Sequence, residues 1–199
     1  MKINFLGILF LLATYSLAAA EDAAKCAKID NPDDRLNCFD SLYKEVTEPE
    51  TKGAWKSSIT TSPLDDTETV VLTLQSDDAI RGAYGNSGPA DILIRCKENT
   101  TSVFLIFNDH FMSDIQGLGR VDYRIDQQKP SSKRMNVSTD NKALGLWSGG
   151  TSIPWIKDLM SGSKLYVRAT PFSESPVEAN FTILGLDESI EPLRKACNW

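Results

Sequence analysis

Histidine is nearly absent from this sequence: His110 is the only one among 199 residues. One imidazole leaves a zinc site short of nitrogen ligands, and Cys26, Cys38, Cys96 and Cys197 never fall in the Cys-x-x-Cys spacing that structural zinc uses. No metal or other cofactor is expected. A nucleophile and base pair would have to include His110, which sits in Asn108-Asp109-His110-Phe111 with no Gly-x-Ser-x-Gly motif around it. A glycine-rich phosphate loop is missing too, because Gly145, Gly149 and Gly150 surround Trp147 outside any strand–turn–helix context. The acid pairs Asp65-Asp66 and Asp77-Asp78 lack the interleaved acids and glycine of a calcium loop, and adjacent acids do not span a glycosidase cleft. They read as turn chemistry, with Pro63-Leu64-Asp65-Asp66 as a reverse turn and Asp77-Asp78 as a solvated strand end. The inventory does not suggest an enzyme.

Positive charge is also short. Twenty-one basic residues against 27 acidic ones give a net charge of −6, which repels phosphate backbones and anionic headgroups and argues against nucleic acid as a partner. Long apolar runs are confined to the start, where Lys2 precedes an apolar stretch from Phe5 to Leu12 that continues weakly to Leu17 and ends in Ala18-Ala19-Ala20. The run falls short of the roughly 20 apolar residues of a membrane span and has the small residues that signal peptidase needs, so residues 1–20 are predicted to be a cleaved export signal. Cleavage removes Lys2 and moves the charge from −6 to −7. Cys26 lies six residues into the mature chain, which gives no support to a lipid-modified terminus, and no membrane insertion is expected after cleavage. The product is predicted to be soluble on the far side of a membrane.

What remains is ordinary globular material, 41% apolar and 24% charged over the whole chain, which excludes disorder, collagen and coiled coil. An even number of cysteines in an oxidising compartment reads as two disulfides, and four cysteines allow three pairings. Cys26 with Cys38 is favoured because both lie in one small helical unit, which leaves Cys96 with Cys197 to close the main domain.

That unit spans residues 21–46. Asn31 is placed as an N-cap, Pro32 as the first helical residue, and Asp33 and Asp34 face the positive helix end. Leu36, Phe39, Tyr43 and Val46 then recur at spacings of three and four, an apolar stripe too small to bury itself. A disulfide-linked helical hairpin is expected, followed by a linker over 47–53. Residues 54–199 hold short β-branched and aromatic segments: Trp55–Thr60, Thr69–Gln75, Asp91–Lys97, Ser102–Phe107, Arg120–Asp126, Lys164–Thr170 and Val177–Leu184. Weaker candidates are Arg134–Ser138 and Ala143–Trp147. Val121, Tyr123 and Ile125 alternate with Asp122, Arg124 and Asp126, and Leu165 and Val167 alternate with Tyr166 and Arg168, the period of half-buried strands. Helices are expected at Ile153–Met160 and Ser189–Ala196. The predicted fold class is mainly β, an antiparallel β-sandwich-like domain with a C-terminal helix, preceded by the hairpin.

Aromatic residues offer the remaining chemistry. Trp147, Trp155 and Trp199, with Phe172 and Tyr123, could form a sugar-stacking platform, although core or rim packing explains them more simply. Sequons at Asn99, Asn136 and Asn180 need only chance, since Asn180 falls inside a predicted strand.

Several runs in order carry a family likeness: Cys26 with Arg35-Leu36-Asn37-Cys38-Phe39-Asp40, Trp55, Ser62-Pro63-Leu64-Asp65-Asp66-Thr67, Ile94-Arg95-Cys96-Lys97-Glu98-Asn99 and Tyr123-Arg124-Ile125-Asp126. Ala169-Thr170-Pro171-Phe172, Phe181, Gly185-Leu186 and Arg194-Lys195-Ala196-Cys197-Asn198-Trp199 complete them. The succession resembles the VasI/TagO family of type VI secretion system-associated proteins. The resemblance implies an accessory periplasmic protein of a phage-like injection machine, with no catalytic residues to carry over. The function it suggests is docking to protein components of the apparatus or the cell envelope, with Leu36, Phe39 and Tyr43 either as a second contact or packed back on the β domain. The alternative is a peptidoglycan or glycan binder, or an inhibitor of wall-degrading enzymes, using Trp147 and Trp155.

Overall fold

The computed structural model describes residues 23–43 and 53–199, which belong to two compact units, Met1–Glu48 and Pro49–Trp199. The export segment 1–20, Val46 and most of the 47–53 linker lie outside the described residues.

In the first unit a helical turn over residues 23–26 precedes helix α1, Pro32–Tyr43. The side-chain oxygen of Asn31 accepts from the backbone N–H groups of Asp33 at 2.9 Å and Asp34 at 3.3 Å, so the cap works as the sequence suggests. Cys26 and Cys38 are bonded, with Cα atoms 5.5 Å apart, and Cys26 is buried. Leu36 is 60% exposed and Phe39 half-buried; the side chain of Tyr43 is outside the described ones. The crosslink stands in for a core that so few residues cannot build.

The second unit begins with β1 (Lys56–Thr61), β2 (Glu68–Arg81), β3 (Ser87–Lys97) and β4 (Thr100–Phe107). It continues through β5 (Arg120–Ile125), β6 (Ser131–Arg134), β7 (Asn136–Val137), β8 (Ala143–Leu146) and α2 (Gly149–Met160). After β9 (Lys164–Ala169) and β10 (Val177–Thr182) come two short helices, α3 (Leu186–Ser189) and α4 (Glu191–Ala196). Two antiparallel sheets result, ordered β1-β2-β3-β4-β8-β7 and β10-β9-β5-β6. Alternation decides the layers: Leu72, Ile94, Val103 and Leu146 form one inward row of the six-stranded sheet, and Val121, Ala169 and Ala179 are buried from the other, so both sheets share one core.

Four local features depart from the sequence reading. β2 does not end at Gln75: a bulge between Gln75 and Ala79 carries it on to Arg81, which puts Asp77 and Asp78 inside the strand and not at a solvated end. There the Asp77 carboxylate accepts from the Thr182 N–H at 2.9 Å and the Thr182 hydroxyl at 3.0 Å, and so ties β2 to β10 of the other sheet. The segment expected as one strand over Arg134–Ser138 is split at Met135, whose buried side chain and N–H bond to the Gly119 carbonyl (2.7 Å) turn the chain from one sheet into the other. The C-terminal helix is interrupted at Ile190, and α2 starts four residues earlier than expected, at Gly149. The β3–β4 hairpin closes through Glu98 and Asn99, both at positive φ (49° and 55°), a two-residue turn that matches strand twist.

Candidate functional site

Because β5 and β9 bury alternate residues, their other side chains all project from the outer face of the four-stranded sheet. Pairing sets them in rows: Arg168 lies opposite both Asp122 and Glu178, Ser132 opposite Asp122, and Tyr166 between Arg124 and Asn180. Together with Arg120, Lys164, Asp126 and the bulge residues Asp77 and Asp78, all of these except Glu178 line a groove of about 840 Å³.

Asp122 is the hub of this surface. Its carboxylate accepts from the Ser132 hydroxyl at 2.6 Å, the Arg120 Nε at 2.8 Å and the Arg168 guanidinium at 3.3 Å. The Ser132 hydroxyl first, and the two guanidinium groups after it, hold the acid below the usual carboxylate range. Tyr166 moves the other way, since burial and then the neighbouring Glu178 raise its pKa, so the phenol stays neutral. Arg124 is held on the β5–β6 hairpin by the Gln128 carbonyl at 2.9 Å and the Gln127 amide oxygen at 3.0 Å. Asp126 accepts from the N–H groups of Ser163 and Lys164 (3.1 and 2.8 Å) and fixes the start of β9. The groove is thus a preorganised array of donors and acceptors on rigid strands, suited to recognising a polar ligand by complementary hydrogen bonds and charge.

Of the residues singled out from the sequence, Asp77, Asp78 and Tyr123 line the groove, and the tryptophans and His110 lie elsewhere. Trp147 is half-buried on the outer face of the six-stranded sheet, stacked on Phe104 with ring centroids 5.1 Å apart, and its indole N–H donates to the Asn136 carbonyl at 2.9 Å. Gly145 makes room for it: a Cβ there would come within 2.7 Å of the indole. Trp155 is fully buried and meets Tyr123 edge to face at 5.6 Å, so it offers no face to a sugar; its position on the inward side of α2 commits it to the core. Trp199 packs under Arg194 and donates to the Thr101 hydroxyl at 2.9 Å beside the Cys96–Cys197 bridge. His110 is buried outside the groove, with Nε2 donating to the Arg81 carbonyl at 2.8 Å and Nδ1 lying 3.0 Å from Glu174, off the line of a good hydrogen bond.

A model of the family described as "Type VI secretion system VasI, EvfG" matches residues 25–199, nearly the whole chain. The chain belongs to the VasI family. It is therefore a type VI secretion-associated protein. Among solved structures it is similar to the invasion associated protein B from Bartonella henselae, with 12% identity, a TM-score of 0.48, and coverage of 75% of this chain and 98% of that one. No protein with a curated description matches it. The VasI-family match runs through both disulfide pairs, Cys26–Cys38 and Cys96–Cys197, bonds that belong to an oxidising compartment. Among the described residues no helix is long and apolar enough to cross a membrane, and no group of three or more His, Cys, Asp or Glu is arranged to hold a metal ion.

Asp77, Asp78 and Tyr123 were marked in the sequence for other roles, but the array around Asp122 and Arg168 did not stand out there as a site. The signal was present as strand alternation, Asp122 and Arg124 on β5 against Tyr166 and Arg168 on β9, but only the register brings those outward residues side by side.

Proposed function

We propose that this VasI-family chain is a non-catalytic periplasmic accessory protein that docks to envelope components of the type VI apparatus through the groove on its four-stranded sheet. The observation that carries this reading is the Arg120–Asp122–Arg168–Ser132 array, in which each charge is already oriented by a neighbour on a rigid strand. Such an array loses little freedom when a partner binds. It is also poorly suited to acid–base chemistry, because the carboxylate is stabilised as an ion and the phenol as a neutral group. Both disulfides support an oxidising location, and the expected export segment agrees. In α1 the exposed Leu36, with Phe39 three residues on, supplies an apolar second contact.

In vivo crosslinking in cells that carry the apparatus tests the proposal. The unmodified protein is expected to yield a specific adduct with an envelope component, and Arg168→Ala to weaken it by about tenfold, as truncation of a well-placed interface arginine does. Absence of any such adduct from the unmodified protein would sink the docking reading. A second reading, binding to peptidoglycan, draws on the half-exposed Trp147–Phe104 stack. Retention on purified wall that disappears in Trp147→Ala, with no protein adduct, would favour it.

A further inference from the structure

Phe111 and Phe172 are large apolar side chains left 51% and 44% exposed, and they meet edge to face with ring centroids 6.2 Å apart. They come from different loops, one after β4 and one after β9. Those loops are fastened together directly beneath the rings: the Phe172 N–H donates to the Phe111 carbonyl at 2.9 Å, and His110 and Glu174 approach to 3.0 Å. On the same side the Met112 N–H donates to the Asn141 carbonyl at 2.7 Å. Asn108, Asp109 and Ser173 next to the pair turn the two loops through left-handed backbone (φ 39°, 65° and 60°). Exposed aromatic rings on an immobilised support lose little entropy on burial and are the side chains that most often anchor interfaces.

We propose that Phe111 and Phe172 form an anchor that inserts into an apolar pocket of a partner protein, a pocket rimmed by basic side chains. The inference rests on the docking reading and places a second contact outside the groove. Charge selects the occupant: segments 108–119 and 170–176 carry Asp109, Asp114 and Glu174 and no Lys or Arg, while Lys142 from the β7–β8 turn approaches Asp109 and Arg134 at the end of β6 approaches the Asp114 carbonyl. Acids on the anchor's own loops, in a chain of net charge −6, oppose an anionic lipid surface and oppose a second copy meeting the same patch.

The test places a photo-crosslinking residue at exposed Ser175, and a second at exposed Ser131 on the rim of the groove, in the full exported chain. The Ser175 probe is expected to give an adduct with an apparatus component identified by mass spectrometry. That adduct should fall at least about tenfold in Phe111→Ala/Phe172→Ala and be partly restored in the Leu/Leu variant, with unchanged melting temperatures. An adduct of dimer mass, a lipid adduct, or equal yield from the alanine variant overturns the anchor. If Ser131 captures a component and Ser175 does not, only the anchor fails; if neither does, the docking reading fails with it.

Discussion

Replacing both Cys96 and Cys197 by alanine opens a bridge that joins residues 101 apart in sequence. In the chain-entropy account, a crosslink over a loop of that size takes away unfolded-chain freedom equivalent to about 4.7 kcal/mol. Most native contacts around it survive its removal, because the Trp199 indole still donates to Thr101 at 2.9 Å and Arg194 still lies over the ring at 5.3 Å. The loss therefore falls chiefly on the unfolded side, and alanine leaves no buried hydroxyl unpaired. Urea denaturation of the double variant is expected to show a loss of about 3–5 kcal/mol. The slope should steepen, because an unlinked denatured chain exposes more surface. At roughly 2–4 °C per kcal/mol for a unit of this size, the melting temperature should fall by about 6–20 °C. A free energy within about 0.5 kcal/mol of the unmodified protein, at unchanged slope, would refute the claim that this bridge constrains the unfolded chain.

Asp122 gives a prediction with a sign in pH. Its folded pKa is depressed, by Ser132 first and the two arginines next, so its stabilisation is fully present above the ordinary carboxylate value of about 3.9 and is lost as pH falls through the lower folded value. Asp122→Asn should cost on the order of 1–2 kcal/mol at pH 7, and its deficit should shrink below about pH 4; a deficit constant from pH 7 to 3 would contradict the assignment. Asp91, raised by burial, works in the opposite direction but is common to both proteins and cancels from the difference. At Trp155 the indole N–H is buried without a partner, so Trp155→Phe, which keeps the edge-to-face contact with Tyr123, should cost less than about 1.5 kcal/mol, against about 3–5 kcal/mol for Trp155→Ala. Equal losses in the two variants would show that ring packing is not what holds this side chain.

Local rules carried much of the fold. Asn31-Pro32-Asp33-Asp34 starts a helix because the cap, the proline and the charges each satisfy a free helix end, and all of that information lies within four residues. The alternation in Arg120–Ile125 and Lys164–Ala169 likewise specifies half-buried strands from within each segment, and a family likeness spread along the chain agrees with the match over residues 25–199.

Pairing between distant segments decided the rest. Nothing near Met135 announces that its side chain turns inward and carries the chain from one sheet into the other, since that depends on Gly119 offering a carbonyl from a separate loop. Trp155 looks the same in sequence whether it faces solvent or core, and only the side of α2 that meets the sheets settles which. The groove is the clearest case: Asp122, Ser132 and Arg168 are separated by 10 to 46 positions and become one site because antiparallel register places them opposite one another. Sequence fixes which residues can point outward; the order and register of strands determine which of them become neighbours.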